Sequence, residues 1–419
     1  MGKKILRKSK KRLPTHTESM ERALWKEAKN LQKELVELRR RLHECAEVGF
    51  ALKKTEAFVK EELQKIGCEA EACGKSGLTV AVGSGEKTFL LRADMDGLPI
   101  KEETGLPYAC KRGNMHACGH DMHTAMLLGA ARLLKAREKT LKGRVKLFFQ
   151  PAEELLEGAK NAIENGLLDE PKVDGAMMIH VMTGVSMPVG SAVVASAGVS
   201  APAADYFTVK VKGKGCHGSA PWNGVDAASV AAHILLALHE LSARELSLSE
   251  PAVLTVGSLS AGNASNVIAD TALLKGTLRA FDEGVRERVK KRLEEISKSI
   301  AKAFRAKAEV RYEGGCPTLF NDEKLSVFTE KSLKKLLGEN AVFASAKLQG
   351  DAKEKSGGSE DFAYISREVP SVMVALAAGE KEKGYVYPLH HPKANFDEEA
   401  LSVGAAVYAH TAIEWLKSE

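Results

Sequence analysis

Apolar residues recur at helical spacing through residues 21–43 (Leu24, Ala28, Leu31, Leu35, Leu38 and Leu42 among many charges), which predicts an amphipathic helix. A second helix is expected from Thr55 to Ile66. The pattern then changes period. Leu78–Val82 and Thr88–Ala93 are short apolar runs on either side of Gly83-Ser84-Gly85, which predicts two strands joined by a tight turn. A helix capped by Asp121 is expected from Met122 to about Lys135. Arg144–Gln150 and Ala176–His180 read as buried strands with a helix near Gly158–Asn165 between them. Strands alternating with helices indicate an α/β layer around a largely parallel sheet.

The middle of the chain has a different character. Asp205–Gly213 alternates Phe207, Val209 and Val211 with Lys210 and Lys212, as a half-exposed strand does. There follow a helix (Asp226–Leu241), two strands (Val253–Leu259 and Thr271–Phe281), a long charged helix (Val285–Phe304) and a strand (Ala308–Glu313). This βαββαβ order is that of a ferredoxin-like unit. The helix-and-strand pattern resumes near Lys324, with a strand at Val372–Leu376 and a last helix from about Glu398 to Leu416. The expected organisation is a basic, flexible extension (residues 1–20) and one α/β domain (21–196 and 314–419), with a small domain (197–313) inserted into it.

Composition changes this picture little. The 419 residues, 44% of them hydrophobic, suffice for two domains, and no apolar stretch approaches the ~20 residues that span a bilayer. No signal-peptide pattern appears. Seven cysteines, an odd number without a C-x-x-C pair, suit a reduced setting, so a cytoplasmic location is expected. The net charge of +6 resides in residues 1–12, which hold seven Lys and Arg and no acid, leaving the remainder near −1. That body has no electrostatic footprint for nucleic acid, and neither nucleic acid nor membrane is expected as a partner.

Candidate chemistry gathers where the strands end. Cys118, His120 and His123 fall within six residues, with His116 just upstream. Asp94 and Asp96 follow LLRA, Glu153 and Glu154 follow KLFFQPA, His180 ends AMMIH, and His390 and His391 lie in YPLHHP. In open α/β sheets, ligand-binding groups collect at the carboxyl ends of strands. Cys and His suit zinc-like ions and carboxylates suit harder ones, so the mixture points to a catalytic metal site and a metal-dependent hydrolase.

RADMDGLP, C-G-H-D-x-H, QPAEE, H-G-S-A-P, S-E-D-F and L-H-x-P occur in the order used by the metal-dependent aminoacylase and carboxypeptidase family. The chain resembles its amidohydrolase branch, which includes N-acyl-amino-acid amidohydrolases, hippurate hydrolases and plant auxin-conjugate hydrolases, over about residues 35–415. The resemblance implies a zinc-peptidase-like α/β domain with an inserted βαββαβ lid that often serves dimerisation, hence a homodimer. It implies two divalent ions (zinc, manganese, cobalt or nickel) bridged by Cys118, with His120, Glu154, His180 and His390 as the other ligands. Glu153 would be the general base that deprotonates a metal-activated water and returns the proton to the departing amine. Asp96 would orient the site from behind the ligands, and Asp94 and His123 would be structural. His217 would stabilise the oxyanion, frequently in the partner subunit's site. Asn266 and Arg279 would hold substrate polar groups, a carboxylate among them, although relatives carry Pro where this chain has Ala269. The implied reaction is hydrolysis of an N-acyl amino acid. The alternative is a carboxypeptidase or dipeptidase using the same machinery on short peptides.

Overall fold

The computed structural model describes residues 16–348 and 357–418; the basic run at residues 1–12 lies outside them. An eight-stranded mixed sheet forms the larger body. Its order is Glu71–Ala72, Leu78–Gly83, Arg144–Gln150, Thr88–Asp94, Gly175–Met182, Ser371–Ala377, Ala192–Val194 and Val342–Ala344. The four central strands, from Arg144 to Ser371 in that order, are mutually parallel. Every residue of the Thr88 strand is buried, which is why TFLLRA reads as a nearly continuous apolar run rather than an alternating one.

The Leu78 and Thr88 strands are joined by the short link through Ser84 and Gly85, but they are not the neighbours that a tight turn would make them. The Arg144 strand lies between them, with Arg144 opposite both Gly83 and Thr88. The crossing is made at close quarters by glycine. A Cβ on Gly83, whose φ is +92°, would lie 2.5 Å from the Gly143 carbonyl oxygen.

The helix His120–Lys135 buries nearly its whole circumference against the sheet, the helix Gln32–Glu44 and the C-terminal helix Ala400–Lys417. The first expected helix is two, His16–Asn30 and Gln32–Glu44, meeting at Leu31. That break lets Gln32 donate to the Glu398 carbonyl (2.8 Å) and accept from the Ser402 N–H (3.2 Å). Asp121 does not cap its helix. Gly119, with φ +84°, precedes the first turn, and a Cβ there would meet Val181 Cγ2 at 2.4 Å. Asp121 lies one residue inside the helix. Its Oδ2 accepts from Arg39 Nε (2.7 Å) and faces His43 Nδ1 (2.8 Å), all three side chains being buried. A buried carboxylate gains more from two cationic partners than from neutral helix N–H groups.

Residues 203–316 build a second, antiparallel sheet in the order Ala252–Ala261, Thr271–Ala280, Ala203–Lys212 and Lys307–Cys316. The helices Ala227–Arg244 and Glu283–Ala303 pack on it around a separate core that includes Phe207, Val209, Ile234 and Leu293. Asp226 and Asp282 cap these helices, accepting from the Ala228 and Val285 N–H groups. The strand order is that of a ferredoxin-like unit, so the α/β class with an inserted βαββαβ unit holds. Among the described residues no helix is long and apolar enough to cross a membrane.

Candidate metal centre

The parallel strands deliver their polar residues to one edge. His180 lies inside Gly175–Met182, two residues before the strand ends rather than at its last position. After Gln150 the chain turns sharply, with Ala152 (φ +54°) and Leu156 (φ +56°) left-handed, and this turn carries Glu153 and Glu154. Asp96 holds the turn in place, its Oδ1 accepting from the Glu153 N–H (3.1 Å) and its Oδ2 from the Glu154 N–H (3.2 Å). His390 is also left-handed (φ +66°), and its N–H donates to the Ala117 carbonyl (3.0 Å), which ties its loop to the one bearing Cys118. Such backbone in a non-glycine residue costs ~1–3 kcal/mol and persists where the surroundings enforce it.

These segments converge on the Cys118 sulfur. Sγ lies 3.5 Å from His180 Nε2 and 3.3 Å from His390 Nε2. His390 Nε2 is 3.4 Å from Glu154 Oε1, and His120 Nε2 lies 3.9 Å from both Glu154 Oε1 and Glu153 Oε2. Two groupings able to hold an ion share Cys118: Cys118, His120 and His180, and Cys118, Glu154 and His390. The ring orientations suit ligation. His120 Nδ1 donates to the Asp96 carbonyl (2.9 Å) and His180 Nδ1 to the Val181 carbonyl (2.8 Å), so each turns its Nε2 inward. His120 Nε2 and Glu154 Oε1 are buried and make no hydrogen bond among the described residues. Inward-facing atoms of a Cys, His and carboxylate set, two of them orphaned in a buried site, are what divalent ions of the zinc type require.

Electrostatics point the same way. Burial pushes the Cys118 thiol up to about 12 and His180 down to about 3. His120, although burial opposes its charge, is raised well above the ordinary value by Asp94, Asp96 and Cys118; a Cys118 thiolate therefore depends on cationic neighbours. Burial lifts Glu154 to about 7, with Asp96 and Asp94 adding to the rise. Glu153 is raised well above the usual carboxylate range, first by burial and then by the charges of Glu360 and Glu154. A carboxyl so placed can carry a proton near neutral pH.

Around this centre stands a second layer of contacts. His123 Nδ1 meets Asp94 Oδ1 at 2.5 Å, and its Nε2 accepts from the Val181 N–H at 2.8 Å, so neither nitrogen is left for a metal. Arg92, fully buried, binds Asp94 (2.7 Å), Gln150 (2.9 Å), Glu360 (2.9 Å) and Asp361 (3.0 Å). In the S-E-D-F motif, Glu360 Oε1 also accepts from the Phe362 N–H (2.9 Å) at the start of the helix Phe362–Glu368, so Glu360 serves both that helix and Arg92. Asp361 makes no side-chain cap bond; its oxygens take Arg92, Gln150 and the Ala159 N–H. Arg92, a charged residue within an apolar strand, was the available signal for this network. His391 stacks on Tyr387 with ring centroids 4.5 Å apart.

The cavity over the centre has a volume of about 600 Å³. Cys118, Glu153, Glu154, His180 and His390 line it, and Met182, Met373 and Leu389 add apolar surface. Arg279 also reaches this cavity, its guanidinium 5.5 Å from the Tyr206 ring centroid. His217 and Asn266 do not line it. They sit on a ribbon of the inserted unit in which Cys216–His217 pairs with Val267–Ile268, and both are exposed.

Peptidase family M20/M25/M40 matches residues 90–414. The chain belongs to this family. It is 38% identical over 375 residues to an N-acetyl-L-cysteine deacetylase of Bacillus subtilis (strain 168), covering 88% of this chain and 85% of that protein. Thermostable carboxypeptidase 1 of Saccharolobus solfataricus is 34% identical over 390 residues, 91% of this chain and 95% of its own. Among solved structures, the Bacillus subtilis YXEP protein, described as a dinuclear metal binding peptidase from the M20 family, is similar with a TM-score of 0.75 and 30% identity. That likeness covers 93% of this chain and 100% of the other. This M20 chain is thus an enzyme that uses divalent metal ions to hydrolyse amides.

Proposed function

We propose that the protein hydrolyses N-acyl amino acids to a carboxylate and a free amino acid. Residues 21–196 and 314–419 serve as the hydrolytic domain and 197–313 as the lid. The carrying observation is the convergence on Cys118 Sγ of His180 and His390 Nε2, beside the orphaned His120 Nε2 and Glu154 Oε1 and the buried Glu153. In this reading Cys118, His120, Glu154, His180 and His390 would hold two divalent ions, for which zinc, manganese, cobalt and nickel all suit the donors. Bound ions of this kind polarise a carbonyl and bring a water's pKa to roughly 7.

The protein's own groups do the remainder. Glu153 takes the water's proton as the oxygen attacks the amide carbon, then delivers it to the departing amine nitrogen. Asp96 keeps the Glu153 turn in place through two N–H bonds. Arg279 meets the substrate carboxylate with its planar fork. The Met182, Met373 and Leu389 lining favours an apolar acyl group or side chain, and thioether flexibility admits more than one shape. His217 and Asn266, absent from their own cavity, act in the site of a second copy in a homodimer, His217 donating to the oxyanion. The exposed Val253 and Leu259 on the open edge strand Ala252–Ala261 support such pairing.

Glu153→Gln tests the base. Its metal content is expected to match wild type while kcat falls by about 10²–10⁴-fold, the usual worth of general-base catalysis. Wild-type turnover by that variant would remove the assignment. The carboxypeptidase relative keeps peptide-bond cleavage as the second reading, and kinetics over N-acetyl, N-benzoyl and dipeptide substrates separate the two.

A further inference from the structure

His217 is exposed, yet its surroundings are built as tightly as a core turn. Its strand pairs with Val267–Ile268, the Gly218 N–H donates to the Asn266 carbonyl (2.7 Å), and the Ala220 N–H donates to the His217 carbonyl (2.9 Å). A Cβ on Gly218 would lie 2.9 Å from that Asn266 oxygen, so no other residue fits without moving the ribbon. The Cys216 thiol closes the turn from the other side on the Ala220 carbonyl, at 3.5 Å. An ordinary surface histidine needs none of this.

The ring itself is held through one nitrogen. The Ser219 backbone N–H donates to His217 Nδ1 at 3.2 Å, and Ser219 Oγ lies 2.7 Å from the same atom. A backbone N–H can only donate, so Nδ1 must offer a lone pair, and the single proton of a neutral imidazole must sit on Nε2. A proton on Nδ1 would oppose the Ser219 N–H head-on. The free edge of the ring, facing away from the turn, is therefore a hydrogen-bond donor. The opposite tautomer would present a lone pair there and repel a developing negative charge.

We propose that Ser219 is a positioning residue that fixes His217 as the neutral, Nε2-protonated tautomer, the form able to donate to the oxyanion of the hydrolysed amide. This rests on the oxyanion reading of His217 given above.

The test has a spectroscopic arm and a kinetic arm, both on the metal-loaded full chain. In histidine-¹⁵N-labelled protein at neutral pH, His217 is expected to show an unprotonated Nδ1 and a protonated Nε2. A protonated Nδ1 would overturn the proposal. Ser219→Ala keeps the backbone N–H and loses Oγ, and is expected to lower kcat about fivefold, the worth of one ordinary hydrogen bond, with KM unchanged. His217→Gln, whose amide nitrogen reaches the place of Nε2, is expected to retain far more activity than His217→Asn, whose amide stops at the place of Nδ1. Asn and Gln variants equally impaired would also overturn it. Wild-type turnover by His217→Ala would remove the oxyanion reading, and the catalytic sense of the lock with it, whichever tautomer the ring shows. That failure is recognisable apart from a wrong tautomer.

Discussion

Asp96→Asn isolates the support of the metal centre from the centre itself. Each oxygen of Asp96 accepts one N–H of the turn that carries Glu153 and Glu154. An amide keeps one acceptor and puts an NH₂ group opposite the other N–H. The loss is one hydrogen bond to a charged acceptor, about 1.5–3 kcal/mol, with donor set against donor in a buried place. The turn relaxes to relieve that conflict, so part of the free energy appears as weaker ion binding. Changing a group that supports metal ligands costs about 10–100-fold in affinity or activity, a range compatible with this figure. Affinity would be read by competition with a chromophoric chelator, kcat at saturating metal, and folding by thermal melting. We expect Asp96→Asn to bind metal about 10–100-fold more weakly, with reduced kcat even when loaded. Unchanged affinity and kcat would refute the positioning argument. Lowered melting with unchanged affinity would assign Asp96 to the fold alone.

Arg279→Met is expected to raise KM about tenfold or more for an acyl amino acid, through loss of a bidentate carboxylate contact, and to leave the corresponding amide unaffected; equal effects on both would remove the carboxylate role. Mixing Glu153→Gln with His217→Ala subunits is expected to restore about a quarter of wild-type activity, because one site in each hetero-dimer is intact. No recovery after subunit exchange would place His217 outside the partner's site. His43 supplies a pH test. Burial opposes its charge, but Asp121 and Glu102 outweigh this and raise its pKa above the ordinary value near 6.5. A folded-state pKa above the unfolded one gives stability that is complete below about pH 6.5 and is lost as pH climbs through the raised value. Urea unfolding should therefore show the gap between wild type and His43→Gln narrowing toward alkaline pH, and a gap that widens would contradict the pairing.

The sequence made the periodic parts legible because their signal is local. The period-2 strand at Asp205, the helical Val285–Phe304 run and the order of the inserted unit need only neighbouring residues to be read. The candidate ligands were legible because strand ends in a parallel sheet share one edge. Long-range pairing escaped. The Leu78 and Thr88 strands are separated by a strand some fifty residues later, which the short link between them cannot announce. Asp121 carries a local capping signal that Arg39 and His43, from another helix, override. Arg92 meets Glu360 across 268 residues, so nothing near the Ser-Glu-Asp run announces that it is the far wall of an ion network.

Three stretches of chain make the cavity: Cys118, Glu153 and His180 come from before the inserted unit, Tyr206 and Arg279 from its strands, and His390 from after it. In the proposed reading, Arg279 writes part of the choice of substrate into the middle passage, while the cutting groups lie in the passages on either side. Drift in the middle passage can change what is admitted and leave the cutting apparatus in register, so one hydrolytic chassis can be refitted for new amides by exchanging its cover.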